Sequence, residues 1–190
     1  MNGYWTESPS CGGWGGRYVL YQPYGETRPI WTNNHESRDT VTAENGSTVT
    51  SDPATIWRWR EHFQHDFAAR MDWCVAEEFR AANHNPIAIL NGDTSKKALR
   101  ISIKPGEPVV LSAAGSRDPD GDAFSATWYV YPEAGTFRGD VRLSAAEGET
   151  TSFIAPAVRG PVAIHVILQL EDRGSPSLFA YRRAVIEVRP

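Results

Sequence analysis

Apolar and polar residues alternate with a period of two through much of the second half of the chain. Such alternation predicts β-strands that are buried on one face. The alternating runs cover residues 99–103, 109–111, 126–131, 162–170 and 184–188. Turn-forming segments separate them, such as the Asp-Pro-Asp-Gly-Asp segment at residues 118–122. About seven short strands of this kind are typical of an immunoglobulin-like β-sandwich, in which Trp128 would be the buried core tryptophan.

The same alternation assigns side chains to the two faces of the strand around Trp128. If Trp128 points into the core, Tyr129 and Tyr131 point to the opposite face. In the sandwich topology that face also carries His165, Ile167 and Val185. Because a face this apolar is unfavourable in open water, we expect it to pack on the first part of the chain or to bind a partner.

The first part of the chain has a different character. Residues 1–52 show no sustained periodicity and are rich in glycine and aromatic residues, which predicts ordered loops. Within them, residues 39–50 are predicted to form a β-hairpin, since two Thr- and Val-containing runs flank a turn at residues 44–46 that contains Asn45-Gly46.

A long helix is predicted next, with Asp52 as its N-cap and Pro53 as its first residue. It is expected to run to about residue 82, because the Asn-His-Asn-Pro segment at 83–86 stops a helix. Its apolar residues recur at three- and four-residue steps and predict one buried face, made of Ile56, Trp59, Phe63, Phe67, Met71 and Cys74. A short buried strand is predicted at residues 87–90.

Composition and charge divide the chain near residue 91. Six of the seven tryptophans lie within the first 73 residues, whereas all three lysines follow residue 95. The net charge is −4 over residues 1–91 and zero over residues 92–190. We therefore predict an α+β protein, with a loop-rich region and one long helix at 1–91 and the β-sandwich at 92–190.

The overall composition excludes several classes of protein. Among the 190 residues, 41% are hydrophobic and 22% charged, which argues against wholesale disorder. A net charge of −4 argues against nucleic-acid binding, and no apolar run is long enough to span a membrane. The N-terminus has neither the basic start nor the apolar core of a signal peptide. The two cysteines, Cys11 and Cys74, allow at most one disulfide, and the sequence does not decide whether it forms.

Several longer motifs resemble a known bacterial family. In the first region they are Gly-Gly-Trp-Gly-Gly-Arg-Tyr at 12–18, Arg-Pro-Ile-Trp-Thr at 28–32, and the segments 54–60, 66–74 and 83–86. In the sandwich they are the segments 118–122 and 131–135. With these motifs, essentially the whole chain resembles the cellulose-binding proteins that carry a nucleoside-hydrolase-like domain followed by a C-terminal β-sandwich.

This resemblance implies a function and a context. Residues 1–91 would be the C-terminal part of an α/β nucleoside-hydrolase-like domain, and the missing N-terminal part of that domain would be a partner. Family members are exported, so the resemblance implies a periplasmic or extracellular location. It also implies adhesion to cellulose or a related plant polysaccharide.

Aromatic side chains are the candidates for such binding, because the apolar C–H faces of a sugar ring lie flat on Trp and Tyr. The alternative for any single ring is packing, and Trp59 and Trp128 are expected in the core. The selected rings are Trp14, Tyr18, Trp31, Trp57, Tyr129 and Tyr131. Trp14 and Trp31 are favoured because they lie in Gly- and Pro-rich loops.

Calcium is the only cofactor that the sequence suggests. Asp118, Asp120 and Asp122 stand at alternate positions, as carboxylates do at the start of a calcium loop. The twelfth position from Asp118 is Tyr129 and the flanking segments are strands, which excludes an EF-hand. The alternative is a surface turn in which Asp side chains accept hydrogen bonds from backbone amides.

A second, weaker metal candidate is Asp66. His65-Asp66 resembles the late His-Asp pair of nucleoside hydrolases, in which the Asp ligates calcium. The Asp-rich motif that supplies the other ligands in that family is missing from this chain, and one carboxylate holds calcium poorly. The favoured alternative is a helical ion pair between Asp66 and Arg70.

Three hypotheses follow for the function. The first is non-catalytic binding of cellulose or a related polysaccharide through surface aromatics. The second is a structural accessory domain of a larger hydrolase-like protein, and the third is a glycoside or nucleoside hydrolase. No catalytic residue stands out, so we expect this chain alone not to be an enzyme. An incomplete α/β sheet edge also makes a homodimer plausible.

Overall fold

The computed structural model describes residues 8–33, 36–43 and 45–190. The chain divides into two compact units, the first ending at Phe63 and the second running from Gln64 to Pro190. The domain boundary near residue 91 stays a prediction, since a unit defined by contacts need not coincide with a domain that folds alone. No helix in the described ranges is long and apolar enough to cross a membrane.

The first unit consists mainly of loops and two short antiparallel ribbons. Strand β1 (Val19–Leu20) pairs with β2 (Trp31–Thr32), and β3 (Asp39–Thr42) pairs with β4 (Thr48–Ser51). The second ribbon confirms the predicted hairpin, apart from Glu44 in its turn, which lies outside the described residues. Asn45 closes the turn because its side-chain oxygen accepts the Ser47 N–H at 3.0 Å.

A buried carboxylate stabilises the first unit. Asp39, at the start of β3, is fully buried. Its two oxygens accept hydrogen bonds from the Arg17 Nε at 2.7 Å and from an Arg58 guanidinium nitrogen at 2.8 Å. Because a buried charge is costly unless it is paired and hydrogen-bonded, this cluster joins three distant segments of the first unit.

The predicted long helix is two helices, α1 (Ala54–Trp57) and α2 (Arg60–Val75). The Ser51 hydroxyl, rather than Asp52, caps the first helix by accepting the Ala54 N–H at 3.2 Å. The second helix ends at Val75 and not near residue 82. Two adjacent acidic residues follow it, Glu77 and Glu78, and acidic side chains are unfavourable at the negative end of a helix.

The predicted apolar face of this helix is wrong in its second half. Phe67 is 64% exposed, and Met71 and Cys74 are also exposed. The helix α2 buries Asp66 and Ala69 instead. The strand predicted at 87–90 is also absent, since these described residues form only isolated bridges, Ile87 with Arg117 and Leu90 with Asp93. Cys11 and Cys74 are both free, so the disulfide left open by the sequence is not formed.

Two sheets form the sandwich of the second unit. Its strands are β5 (Leu99–Ile103), β6 (Pro108–Ser112), β7 (Phe124–Val130), β8 (Thr150–Ile154), β9 (Val162–Asp172) and β10 (Phe179–Val188). One sheet has the order β5-β10-β9-β7, in which only β5 and β10 are parallel, and β6 pairs with β8 in the other. Over residues 99–188, all of them described, there are thus six strands rather than about seven.

The core between these sheets follows the predicted alternation. Trp128 is buried, and its indole N–H donates to the Gly148 carbonyl at 2.8 Å. The inward residues of β9 are buried beside it: Ile164, Val166, Leu168 and Leu170. Each such side chain contributes about 1.5–3 kcal/mol through removal of apolar surface from water. The α+β fold class with a β-sandwich is therefore confirmed.

The opposite face of the larger sheet is buried as well. Tyr131 is completely inaccessible, and His165, Ile167 and Val185 are almost so. The Arg183 guanidinium lies over the Tyr131 ring, 5.5 Å from its centroid, and donates to Nδ1 of His165 at 2.9 Å. The part of this face around Tyr131 is therefore covered, whereas Tyr129 on the same face is half-buried.

Candidate functional site

The first unit exposes aromatic and apolar side chains on the ribbon of β1 and β2. Trp31 is 40% exposed and pairs with Leu20 across the ribbon. The connecting loop carries Tyr24, which is 88% exposed. Two further exposed apolar residues flank the pairing, Tyr21 and Ile30. Large contiguous patches of exposed apolar residues often mark binding surfaces, so this ribbon is a candidate interaction surface.

The other predicted rings of the first unit differ in accessibility. Trp57, at the end of α1, is 46% exposed. Trp14 and Tyr18 are half-buried. The Tyr18 hydroxyl donates to the Gly15 carbonyl at 2.6 Å, and a Cβ at Gly15 would lie 3.1 Å from that hydroxyl. Gly15 therefore leaves room for the Tyr18 ring.

The two tyrosines selected on the sandwich have different fates. Tyr129 is half-buried on β7. Tyr131 follows the strand and has no accessible surface. A sugar ring needs an open aromatic face, so Tyr131 is removed from the candidate residues. The sequence indicated which face Tyr131 lies on and left open whether that face packs within the chain or binds a partner.

The Asp-rich turn is held by its own hydrogen bonds. One oxygen of Asp118 accepts the N–H of Asp120 at 2.9 Å and that of Asp122 at 3.1 Å. Asp120 turns to His84, accepting its backbone N–H at 2.7 Å. Among the described residues, no group of three His, Cys, Asp or Glu side chains is placed to hold a metal ion. These hydrogen bonds are those of a capped turn, while the second oxygen of Asp118 is buried without a hydrogen-bond partner among the described residues.

Asp66, the weaker metal candidate, is also occupied by protein groups. Its side chain is buried on α2. Arg70 donates to one oxygen at 2.6 Å, and the Asn85 amide donates to the other at 3.1 Å. Neighbouring His65 has its Nδ1 2.9 Å from the Ser177 carbonyl oxygen. The predicted Asp66–Arg70 pair is confirmed, and it leaves neither oxygen of Asp66 without a partner.

The Asn-His-Asn-Pro motif connects α2 to the sandwich, a role that sequence reasoning missed. The Asn83 amide donates to both oxygens of Asp172 at 3.2 Å and to the Pro176 carbonyl at 2.8 Å. Its side chain fills the space that a Cβ at Gly174 would occupy. Burial raises the pKa of Asp172, and the hydrogen bonds from Leu178 and Asn83 oppose that shift.

His84 in the same motif stacks on two aromatic rings. The Phe79 ring lies 3.6 Å from the His84 ring, centroid to centroid, with an interplanar angle of 4°. The Trp73 ring lies 5.3 Å from it at 8°. The Trp73 indole N–H donates to the Asn83 carbonyl at 2.6 Å, and Nδ1 of His84 is 3.1 Å from an Asp120 oxygen. His84 and Trp73 thus each have a polar partner, and Phe79 is supported by the His84 ring.

This ring stack borders a cleft of about 380 Å³ in the second unit. The loop at residues 94–96 also lines it, together with Tyr181 and Arg182 of β10. In the sequence, the Asn-His-Asn-Pro segment indicated only a helix stop and a family motif. No periodicity connects these segments, so their convergence was not predictable.

Comparison with known families bears on the second unit. Residues 108–188 match one family model. That model describes the C-terminal domain of the cellulose-binding protein Sde0182, and the match confirms the resemblance noted in the sequence. The match covers β6 to β10, which are most of the sandwich.

Comparison with solved structures extends the similarity to the first unit. A nucleoside hydrolase-related hypothetical protein from Saccharophagus degradans, described as associated with carbohydrate metabolism, has 34% sequence identity and a TM-score of 0.77. The similarity covers 95% of this chain but only 43% of that protein. The PKD domain of the KIAA 1837 protein is 15% identical, over 48% of this chain and 81% of that domain's chain. Its TM-score is only 0.33. No curated protein gave a match.

Proposed function

We propose that this chain binds polysaccharide without catalysis, through aromatic side chains on its surface, and that cellulose or a related plant polysaccharide is the ligand. The observation that carries the proposal is the exposed ribbon of the first unit, where Trp31 and Tyr24 offer open ring faces. The match of the sandwich to a cellulose-binding family supports the same class of ligand. An extracellular or periplasmic location is proposed on the same ground.

The physics of the ribbon suits a sugar chain. A pyranose ring has apolar C–H faces and polar edges, and stacking on an indole covers the faces while water still reaches the hydroxyls. Trp31 is held in a paired strand, and the Gln22 amide, which donates to the carbonyls of Glu26 and Arg28, orders the loop that carries Tyr24. Such preorganisation lowers the ordering cost of binding.

The remaining predicted rings other than Tyr131 stay candidates, in the first unit and, for Tyr129, separately in the second. Trp57 is retained because it is exposed, and Trp14, Tyr18 and Tyr129 are retained as partly accessible rings. Calcium at Asp118, Asp120 and Asp122 stays a prediction, since one oxygen of Asp118 is buried without a hydrogen-bond partner among the described residues. Asp66 is a poorer ligand, because both of its oxygens accept hydrogen bonds from protein groups.

The test is binding to microcrystalline cellulose by the chain and by its Trp31→Ala variant. Loss of one stacked ring is expected to weaken association about fivefold, equivalent to roughly 1 kcal/mol. Phe67→Ala is the control, because Phe67 is more open to solvent than Trp31 and lies on α2. Soluble gluco- and xylo-oligosaccharides as competitors identify the sugar class. Equal binding by all three folded proteins would reject the ribbon as the site.

A second candidate function is that of an accessory part of a larger hydrolase-like protein. Phe67, Met71 and Val75 are exposed at four-residue steps, so they form one apolar stripe on α2. The chain spans 43% of the solved relative, so a further domain is available in that protein to cover such a stripe. A homodimer, the other predicted partner, stays a prediction.

A further inference from the structure

We propose that the cleft beside the Phe79 ring is a second sugar-binding site, located in the second unit and separate from the ribbon of β1 and β2. The inference rests on the proposed function and names a further place where the same class of ligand binds. It joins three segments of the second unit: the 3₁₀ turn at Phe79–Ala81, the Asn-His-Asn-Pro loop, and the loop at residues 94–96.

One wall of the cleft is an aromatic platform. Phe79 is 61% exposed although its ring lies flat on His84. Below it, His84 also stacks on Trp73, and the Arg70 guanidinium lies 5.1 Å from the centre of the Trp73 ring. The ring is therefore supported while much of its surface stays in water. An open and supported aromatic face is what stacking on a sugar ring needs.

The opposite wall is polar and equally fixed. Arg182 is 4% exposed and donates to the carbonyl oxygens of Asp93 and Lys97, the latter at 3.2 Å. Asp93 in turn accepts the Ser95 N–H at 2.7 Å. Both ends of this loop are thus tied to β10, and the Ser95 N–H ties the middle of the loop to Asp93.

Two side chains on that wall have unused hydrogen-bonding capacity. Thr94 and Lys96 line the cleft, and within the described ranges neither side chain makes a hydrogen bond or an ion pair. A hydroxyl and an ammonium group opposite an aromatic face match the two sides of a pyranose, whose hydroxyls accept hydrogen bonds at the ring edge. At about 380 Å³ the cleft has the size for a short stretch of chain rather than a long one.

The experiment is a titration of the ¹⁵N-labelled chain with cellohexaose and, separately, with xylohexaose, followed by amide shifts in NMR spectra. We expect the amides of Phe79, His84 and the 94–96 loop to shift and saturate with one of the sugars. Phe79→Ala should weaken the affinity derived from these shifts roughly tenfold, whereas Phe79→Tyr should stay within about threefold of the parent.

Phe67→Ala is the matched control, since it removes a phenyl ring of similar exposure from the same unit and should leave the cleft affinity unchanged. Because Phe79 is largely exposed, its loss is not expected to unfold the chain, and the amide spectrum itself reports the fold. An additional Thr94→Val variant keeps the shape of that wall, removes its hydroxyl, and should weaken the same shifts.

The outcomes separate this inference from the proposed function. Shifts confined to the ribbon of β1 and β2, with none near Phe79, would overturn the second site and leave the proposed function standing. Shifts near Phe79 that persist unchanged in Phe79→Ala would also overturn it. No shift anywhere with either sugar, together with no binding to cellulose, would reject both proposals.

Discussion

His165 makes the stability of the sandwich depend on pH, and this dependence can be measured. The ring lies on β9, is 4% exposed, and accepts a hydrogen bond at Nδ1 from the Arg183 guanidinium. Burial, followed by the positive charges of Arg183 and Arg100, lowers the pKa of His165 from 6.5 to about 3. The folded state therefore holds a neutral imidazole over the whole range between these two values.

The difference in the His165 pKa between the folded and unfolded chain makes the protein less stable as the pH falls below 6.5. An unfolded chain has the ordinary His pKa of 6.5, so it binds a proton that the folded chain does not bind. Stability is fully present above pH 6.5 and is lost as the pH falls toward the folded pKa. At pH 5 the loss in the free energy of unfolding is about 2 kcal/mol, since each pH unit below 6.5 contributes roughly 1.4 kcal/mol.

The assay is urea unfolding at pH 7.5 and pH 5.0, followed by circular dichroism, for the parent and for His165→Gln. Glutamine keeps an acceptor for Arg183 and does not titrate, so the comparison isolates the His165 contribution from that of the carboxylates. We expect the parent to lose about 2 kcal/mol more than the variant between the two pH values. An equal loss in both proteins would show that His165 is protonated in the folded state and refute the reasoning.

Two further predictions concern the first unit and helix α2. Asp39→Asn leaves the guanidinium groups of Arg17 and Arg58 without their buried carboxylate and should destabilise the first unit by about 3 kcal/mol, measured as a fall in Tm. Glu78→Gln is the control, because it alters only an exposed pair with Arg80 and should leave Tm unchanged. If the apolar stripe on α2 contacts another domain, Met71→Glu should abolish association with the remaining part of the Saccharophagus relative, measured by sedimentation. The Tm of the chain should not fall. Undiminished association would reject the stripe as the contact.

The strands of the sandwich were predictable because their information is local. Alternation with a period of two reports which residues of a strand face a core, and it placed Trp128 and the inward residues of β9 correctly. The hairpin of the first unit was predictable for a similar reason, since Asn-Gly selects a tight turn between two strands.

The helix shows where local information ends. Spacing predicted that Phe67 and Met71 are buried, but α2 buries Asp66 instead. A carboxylate tolerates burial when partners satisfy both of its oxygens, and one of its partners, Asn85, is 19 residues away in the chain. Periodicity measures which residues share a face, and it does not report which face meets a neighbour.

The sequence by itself therefore determined the α+β class, the sandwich strands, the hairpin and the family resemblance, because each depends on neighbouring residues or on contiguous motifs. Tertiary structure alone decided which rings are accessible, removing Tyr131 and leaving Trp31 open. It also formed the cleft, where Phe79 and His84 meet the loop of Lys96. These segments have no common period, and their convergence results from long-range hydrogen bonds that a linear pattern does not record.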